Sequence, residues 1–188
     1  MARTTVPAAF GTRGSAVFVF NSSAQAAATL AAASTASPVA GPWHVSFPGP
    51  LNRTFIWERL QGWTAVSETK HFSGLVSYGA TATVTVESAP AVIDLGDVRD
   101  SAEVFINGRS AGVAFMRPYH VRTGGLLKPG SNTIEIRVAN LWSNAVMAMP
   151  RTVTRVPGPG YGIADVLYGP RERKLAPSGL LGPVRLLR

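Results

Sequence analysis

The sequence predicts an all-β chain, an antiparallel β-sandwich or jelly roll, on three observations. Short apolar runs recur between clusters of turn-forming residues. Glycine and proline are abundant, at 19 and 14 of 188 residues, while only 15% of residues are charged, a balance that favours many turns. No long segment keeps the helical period of apolar residues. The length suits one domain of ordinary size with a real hydrophobic core.

Taken in order, Met1–Gly14 carries little pattern, and Ala16–Phe20 reads as a short apolar strand. Asn21-Ser22-Ser23 turns the chain into Ala24–Ala33, either a second strand or a short Ala-rich helix; alanine favours helix, and the hairpin-like context favours strand. Ser34–Pro42 reads as a linker closed by Gly41-Pro42. The expected organisation is residues 1–40 as N-terminal strand and linker, or the end of a preceding domain, and residues 41–188 as the sandwich. Trp43–Phe47 alternates large and polar side chains as a strand, stopped by Pro48-Gly49-Pro50. Phe55-Ile56-Trp57 follows, then Gln61–Thr64 as a loop or short turn. Phe72–Tyr78 and Ala82–Glu87 read as two further strands. Beyond Trp142 the chain is loop-rich until Leu180–Leu187.

Val92–Trp142 is the centre. Val92–Leu95, Ala102–Ile106 and Thr133–Val138 are apolar runs between turns. Asn107-Gly108 accepts positive φ at both central positions of a type I′ turn, so its flanking runs form a hairpin. In the third run Ile134, Ile136 and Val138 share one face and Thr133, Glu135 and Arg137 the other, because side chains alternate along a strand. Lys128–Asn132 before it is a proline–glycine turn.

With no cysteine, disulfide frameworks and thiolate metal sites are excluded, and the compartment is left open. The formal charge is +8, which suits anionic partners such as acidic polysaccharide or nucleic acid. The arginines are scattered among glycine and proline and are not interleaved with stacking aromatics, which argues against nucleic acid and for a solvated basic surface. No stretch approaches the roughly 20 apolar residues of a membrane helix. The Ala24–Ala40 segment lacks the basic start of a signal peptide. Oligomeric state is not legible.

Sugar sites on β-sandwiches need aromatic faces against pyranose C–H groups and a few polar groups for the hydroxyls. The candidates are Trp63, Arg117, Tyr119, His120, Asn140, Trp142, Asn144 and Tyr161. Trp43, Trp57 and Trp142 sit in apolar runs and are expected mainly in the core. Trp63 and Tyr119, flanked by turn residues, divide evenly between core and ligand, and Tyr161 lies in a Gly-Pro loop. Glycosidase chemistry needs two carboxylates, about 5–5.5 Å or about 6.5–9.5 Å apart. Glu103 and Glu135 share a predicted strand face, with Asp165 a further candidate; the alternative is a solvated face paired with arginines such as Arg137. Asp94, Asp97 and Asp100 around Gly96 are candidate calcium ligands, but their spacing fits no EF-hand-type loop, and turn capping into Ser101–Ile106 is the competing reading. No other cofactor is implied. The three histidines, His44, His71 and His120, form no motif.

Several ordered pieces carry a resemblance. They include Gly41–Phe47, Leu60–Thr64, His71–Tyr78, Ile93–Val98, Ala102–Gly108, Arg117-Pro118-Tyr119, Leu127–Thr133, Asn140–Asn144 and Ser178–Val184. Together they resemble the C-terminal accessory β-sandwich of large glycoside hydrolases of the family 106 α-L-rhamnosidase type, and are similar to the sugar-binding jelly roll of family 2. The resemblance implies a galactose-binding-like sandwich, carbohydrate-binding or structural, attached to a bacterial enzyme acting on plant-type polysaccharide. It implies further domains of a larger hydrolase as partners, in a periplasmic or secreted setting. A complete catalytic barrel of about 250 residues does not fit in this chain. Two readings stand beside it: a small stand-alone glycosidase, and a ligand-free docking module. The sequence departs from the family at His120, where an arginine is usual, at Arg122, where an acid is usual, and at Ala145–Met149, which replaces a polar stretch and suits an interface.

Overall fold

The computed structural model describes residues 35–85, 92–148 and 174–188. These belong to one unit, Ser34–Arg188. Twelve strands are described, together with a turn of 3-10 helix at Trp63–Ala65 and a short helix α1, Ser143–Ala148. The strands are β1 (Ala36–Pro38), β2 (Trp43–Phe47), β3 (Arg53–Trp57), β4 (Leu75–Val84), β5 (Val92–Asp94) and β6 (Asp97–Arg99). They continue with β7 (Ser101–Ile106), β8 (Arg109–Ala114), β9 (His120–Arg122), β10 (Gly130–Ala139), β11 (Gly179–Gly182) and β12 (Arg185–Leu187).

The six-stranded sheet runs β3-β2-β4-β10-β7-β8, the four-stranded sheet β1-β12-β5-β9, and β11 pairs with β6. Every strand pairing is antiparallel. One core joins them, with Val45, Tyr78, Val104 and Ile136 from the larger sheet and Ile93, Val121 and Leu186 from the smaller. This is the predicted all-β sandwich. Among the described residues no helix is long and apolar enough to cross a membrane.

Alternation sets the register. On β10, Ile134, Ile136 and Val138 are buried while Thr133, Glu135 and Arg137 face outward, as the sequence predicts. Each fully buried aliphatic contributes roughly 1.5–3 kcal/mol, and a one-residue slip would turn all three outward. β4 obeys the same rule over ten residues, burying Val76, Tyr78, Ala80, Ala82 and Val84. Two strands were expected there; the inward period is unbroken, so one long strand forms, and Phe72–Gly74 is left as its entry loop.

The Asn107-Gly108 hairpin is present, with φ of 51° and 78° between β7 and β8. Its tip is also stitched to the neighbouring strand β10 and to the loop before it. The Asn107 amide donates to Leu126 O at 3.0 Å and Asn132 Oδ1 at 2.9 Å, and its Oδ1 accepts the Thr133 N–H at 3.0 Å. Asn132, 1% exposed, donates to Lys128 O and Gly130 O and accepts the Lys128 N–H. Lys128–Asn132 is thus the expected turn, although its last three residues already belong to β10.

Other expectations are corrected by packing. Ala36–Pro38, read as linker, is a strand paired with β12. Trp43 and Trp57 are buried as expected, whereas Trp142, beyond the end of β10, is 60% exposed. Trp63 is fully buried. It packs edge-on against Phe47 and Phe72 with centroids 5.5 and 5.7 Å away, and its indole N–H donates to the Tyr78 hydroxyl. Ala145–Ala148 lies in α1, where Val146 is buried and Met147 half-buried. Met1–Gly14, Ala16–Phe20, Ala24–Ala33, Met149, Tyr161 and Asp165 lie outside the described residues.

Candidate functional site

The outward side chains of the larger sheet form cross-strand rows. One row is His44, Gly79, Glu135 and Phe105, and the next is Ser46, Ser77, Arg137 and Glu103. Thr81 stands opposite Thr133. Gly79 contributes no side chain, so its row has a gap at the centre of the sheet. The result is an open depression of about 590 Å³ whose lining includes His44, Ser77, Gly79, Thr81, Thr133 and Glu135.

Its electrostatics are set by one ion pair. Arg137 Nε donates to Glu135 Oε1 at 2.7 Å, and the guanidinium lies over the Phe105 ring at 4.2 Å. The Arg137 hydrogen bond holds the Glu135 carboxyl below the usual carboxylate range, its charge and a Ser77 hydrogen bond acting in the same direction. Glu135 is therefore an ionised acceptor at neutral pH, surrounded by hydroxyls that both donate and accept. Such a surface can hydrogen-bond a polyol.

Glu103 and Glu135 do share this face, as expected. Each has a partner: Glu103 accepts the Ser110 hydroxyl at 2.8 Å, and Glu135 is held by Arg137. Glu135 is thus arginine-paired, whereas Glu103 is held by a hydroxyl.

The other predicted residues fall in two further places. Arg117, Tyr119 and His120 gather at β9 with Asp94 and Asp97. Arg117 binds Asp97 at 2.8 Å and lies over Tyr119 at 6.0 Å; His120 Nε2 is 3.6 Å from Asp94. Asn140 and Asn144 are brackets between loops. Asn140 donates to Phe72 O and Ser178 Oγ and accepts the Gly74 N–H. Asn144, 1% exposed, exchanges two bonds with the Ala176 backbone, and its carbonyl lies 3.0 Å from His71 Nδ1. With both amide hydrogens and the carbonyl of Asn140 committed, its side chain serves the fold. Asn140→Ala is expected to cost about 2 kcal/mol by leaving three part-buried partners unsatisfied, read as a lower urea midpoint. Trp63, being buried, offers no ring to a ligand; Trp142, exposed, offers one.

The calcium candidates are likewise committed. Asp94 accepts the Gly96 N–H at 2.9 Å, and Asp97 takes Arg99 at 2.7 Å as well as Arg117. Asp100 accepts the Leu141 N–H at 3.0 Å rather than capping the turn into β7. Among the described residues no three His, Asp or Glu side chains are grouped to hold a metal.

The depression itself was not foreseen. The available signal was a glycine at mid-strand flanked at alternate positions by Ser77 and Thr81.

Comparison with known proteins places this architecture. No protein-family model matches the chain. A protein named "Putative beta-glucuronidase" from Formosa agariphila is 31% identical over 177 aligned residues, taking in 79% of this chain and 15% of that protein. The solved rhamnosidase from Novosphingobium sp. PP1Y matches at 31% identity and a TM-score of 0.65, over 87% of this chain and 16% of that one. The likeness is to a segment of glycoside hydrolases. An FMN-binding β-glucuronidase from Facaelibacterium prausnitzii L2-6 shares the fold, with a TM-score of 0.54, 16% identity, and cover of 81% of this chain and 22% of that one. This chain thus spans about a sixth of the two relatives it matches at 31% identity.

Proposed function

We propose that the chain acts as a non-catalytic β-sandwich accessory domain of a carbohydrate-processing hydrolase, of the galactose-binding-like kind that the sequence resembles. The observation that carries this reading is the asymmetry of cover: about four fifths or more of the chain corresponds to a small part of much longer enzymes. The chemistry agrees. A glycosidase needs two carboxylates facing one scissile bond, whereas Glu103 and Glu135 lie on an open sheet face, bound to Ser110 and Arg137. The outer face instead supplies hydroxyls, a carboxylate and an imidazole suited to holding a sugar without cleaving it.

A docking role is favoured by a second observation. Leu75, Phe115, Met116, Leu141 and Trp142 are all exposed; Leu75 opens β4 opposite the last residue of β10, Phe115 and Met116 follow β8, and Leu141 and Trp142 follow β10. Exposed apolar residues of this kind suit contact with another domain of the same enzyme. The two roles use different surfaces and are compatible.

The test is hydrolysis of a panel of aryl glycosides, α-L-rhamnoside and β-D-glucuronide included, by the purified chain beside Glu103→Gln and Glu135→Gln. No turnover by any of the three is expected. Turnover by the parent chain, lost in either variant, would make it a compact glycosidase and overturn the accessory reading.

A further inference from the structure

Gly79 stands at the middle of the longest described strands, where glycine weakens a strand and packs nothing. Its backbone does not demand glycine, since it is not among the residues of positive φ. Nor does crowding: a Cβ there would meet only His44 atoms, at 3.9 Å. A side chain therefore fits, and a β-branched one would strengthen the strand. When neither conformation nor crowding requires a mid-strand glycine, close approach of a ligand or of another backbone is a physical reason for it.

The walls around that gap define what approaches. His44 and Glu135 flank Gly79 across the sheet, and Ser77 and Thr81 flank it along β4. With Thr133 they present hydroxyls, an imidazole and an ionised carboxylate within about 590 Å³, a volume in the range of small-ligand sites. A carboxylate accepts hydrogen bonds from two neighbouring hydroxyls, while the bare Gly79 Cα and the Pro42 ring, also in the lining, offer apolar contact to C–H groups. Arg137 is already engaged by Glu135 and Phe105. An anionic ligand would meet the Glu135 carboxylate first.

We propose that the depression over Gly79 binds a neutral sugar residue, with Glu135 accepting from a vicinal diol and the hydroxyls of Ser77, Thr81 and Thr133 completing its hydrogen bonds. This rests on the accessory-domain reading and adds to it a place and a charge preference.

The experiment is a ¹⁵N–¹H titration of the full chain with the methyl glycosides of L-rhamnose, D-galactose and D-glucose, and with methyl β-D-glucuronide. At least one neutral glycoside is expected to shift the amides of Gly79, Thr81, Thr133 and Glu135 saturably, with a Kd of about 1 mM. The glucuronide is expected to bind about tenfold more weakly or less. Gly79→Val should abolish the saturable shifts while keeping or raising the urea midpoint, and Gly79→Ala should weaken them with the fold equally intact. Saturable shifts retained in Gly79→Val, equal binding of the glucuronide, or no saturable shift at these amides with any neutral glycoside would overturn the site. Losing the site leaves the non-catalytic reading intact, whereas aryl glycoside turnover removes that reading and leaves the shift map standing.

Discussion

Gly96→Ala is expected to destabilise the sandwich by about 4 kcal/mol, combining a left-handed backbone penalty of about 1–2 kcal/mol with an overpacking cost of about 1–3 kcal/mol. Gly96 has φ of +65°, and a Cβ there would lie 2.5 Å from the Gly182 carbonyl carbon and oxygen and 2.7 Å from Pro183 O. Those obstacles are backbone and cannot rotate away. Gly96 also makes the parallel bridge to Gly182, which joins the turn between β5 and β6 to the end of β11. Pushing the two apart strains the four-stranded sheet and the β6–β11 pair. Gly108→Ala is the matched control: φ is +78°, but a Cβ would meet nothing within 4 Å, so only the backbone penalty of about 1 kcal/mol applies. Urea unfolding of both variants isolates the crowding term. For a chain of this length the Gly96→Ala loss corresponds to about 10 °C in Tm. Equal midpoints for the two variants would mean that the close approach at Gly182 does not exist.

That contrast also marks what a sequence discloses. Asn107-Gly108 was legible because a two-residue turn is chosen by the local conformational freedom of two adjacent residues. β10 was legible because its period of two is written in consecutive residues, Thr133–Val138. The requirement for glycine at position 96 is invisible locally, since the atoms that forbid a side chain belong to Gly182 and Pro183, far along the chain. Trp63 and Trp142 were hard to read for the same reason. Trp63, amid turn residues, is buried because Phe47, Phe72 and Tyr78 surround it and because Gly179 has no side chain to collide with its indole. Trp142, in an apolar run, lies beyond the end of β10 and is exposed.

The candidate site was legible only in its face, not in its shape. Alternation alone put Glu103 and Glu135 on one side of the sheet. Recognising the depression required the registers of β2, β4 and β10 together, since only they set His44 and Glu135 on either side of Gly79. Asn140 and Asn144 were expected at a ligand because their amides suit sugars; the same amides suit loop backbones, and the loops at Phe72, Gly74 and Ala176 claim them.

Tyr78→Phe is expected to cost about 3 kcal/mol at neutral pH, and that cost should vanish as pH rises from about 10 to about 12. The Tyr78 hydroxyl accepts the Trp63 indole N–H and, at 3.2 Å, the Leu180 N–H, linking β4 to the 3-10 turn and to β11. Removing the oxygen strands two buried donors, each costing about 1–3 kcal/mol. The pH dependence has an independent origin. Burial pushes the Tyr78 hydroxyl from 10.0 up to about 12, against the opposing pull of the two hydrogen bonds. The unfolded chain loses this proton near pH 10 and the folded chain only near pH 12, so the unfolded state gains stability throughout that window. The rise from 10.0 to about 12 corresponds to about 3 kcal/mol. The contribution is full below pH 10 and lost as pH rises through the folded-state value. Phenylalanine cannot ionise, so the variant lacks this component, and urea midpoints of the two proteins should converge across the window. A constant difference from neutral pH to pH 12 would show that Tyr78 ionises no later in the folded chain than in the unfolded one, and would remove its hydroxyl from the core.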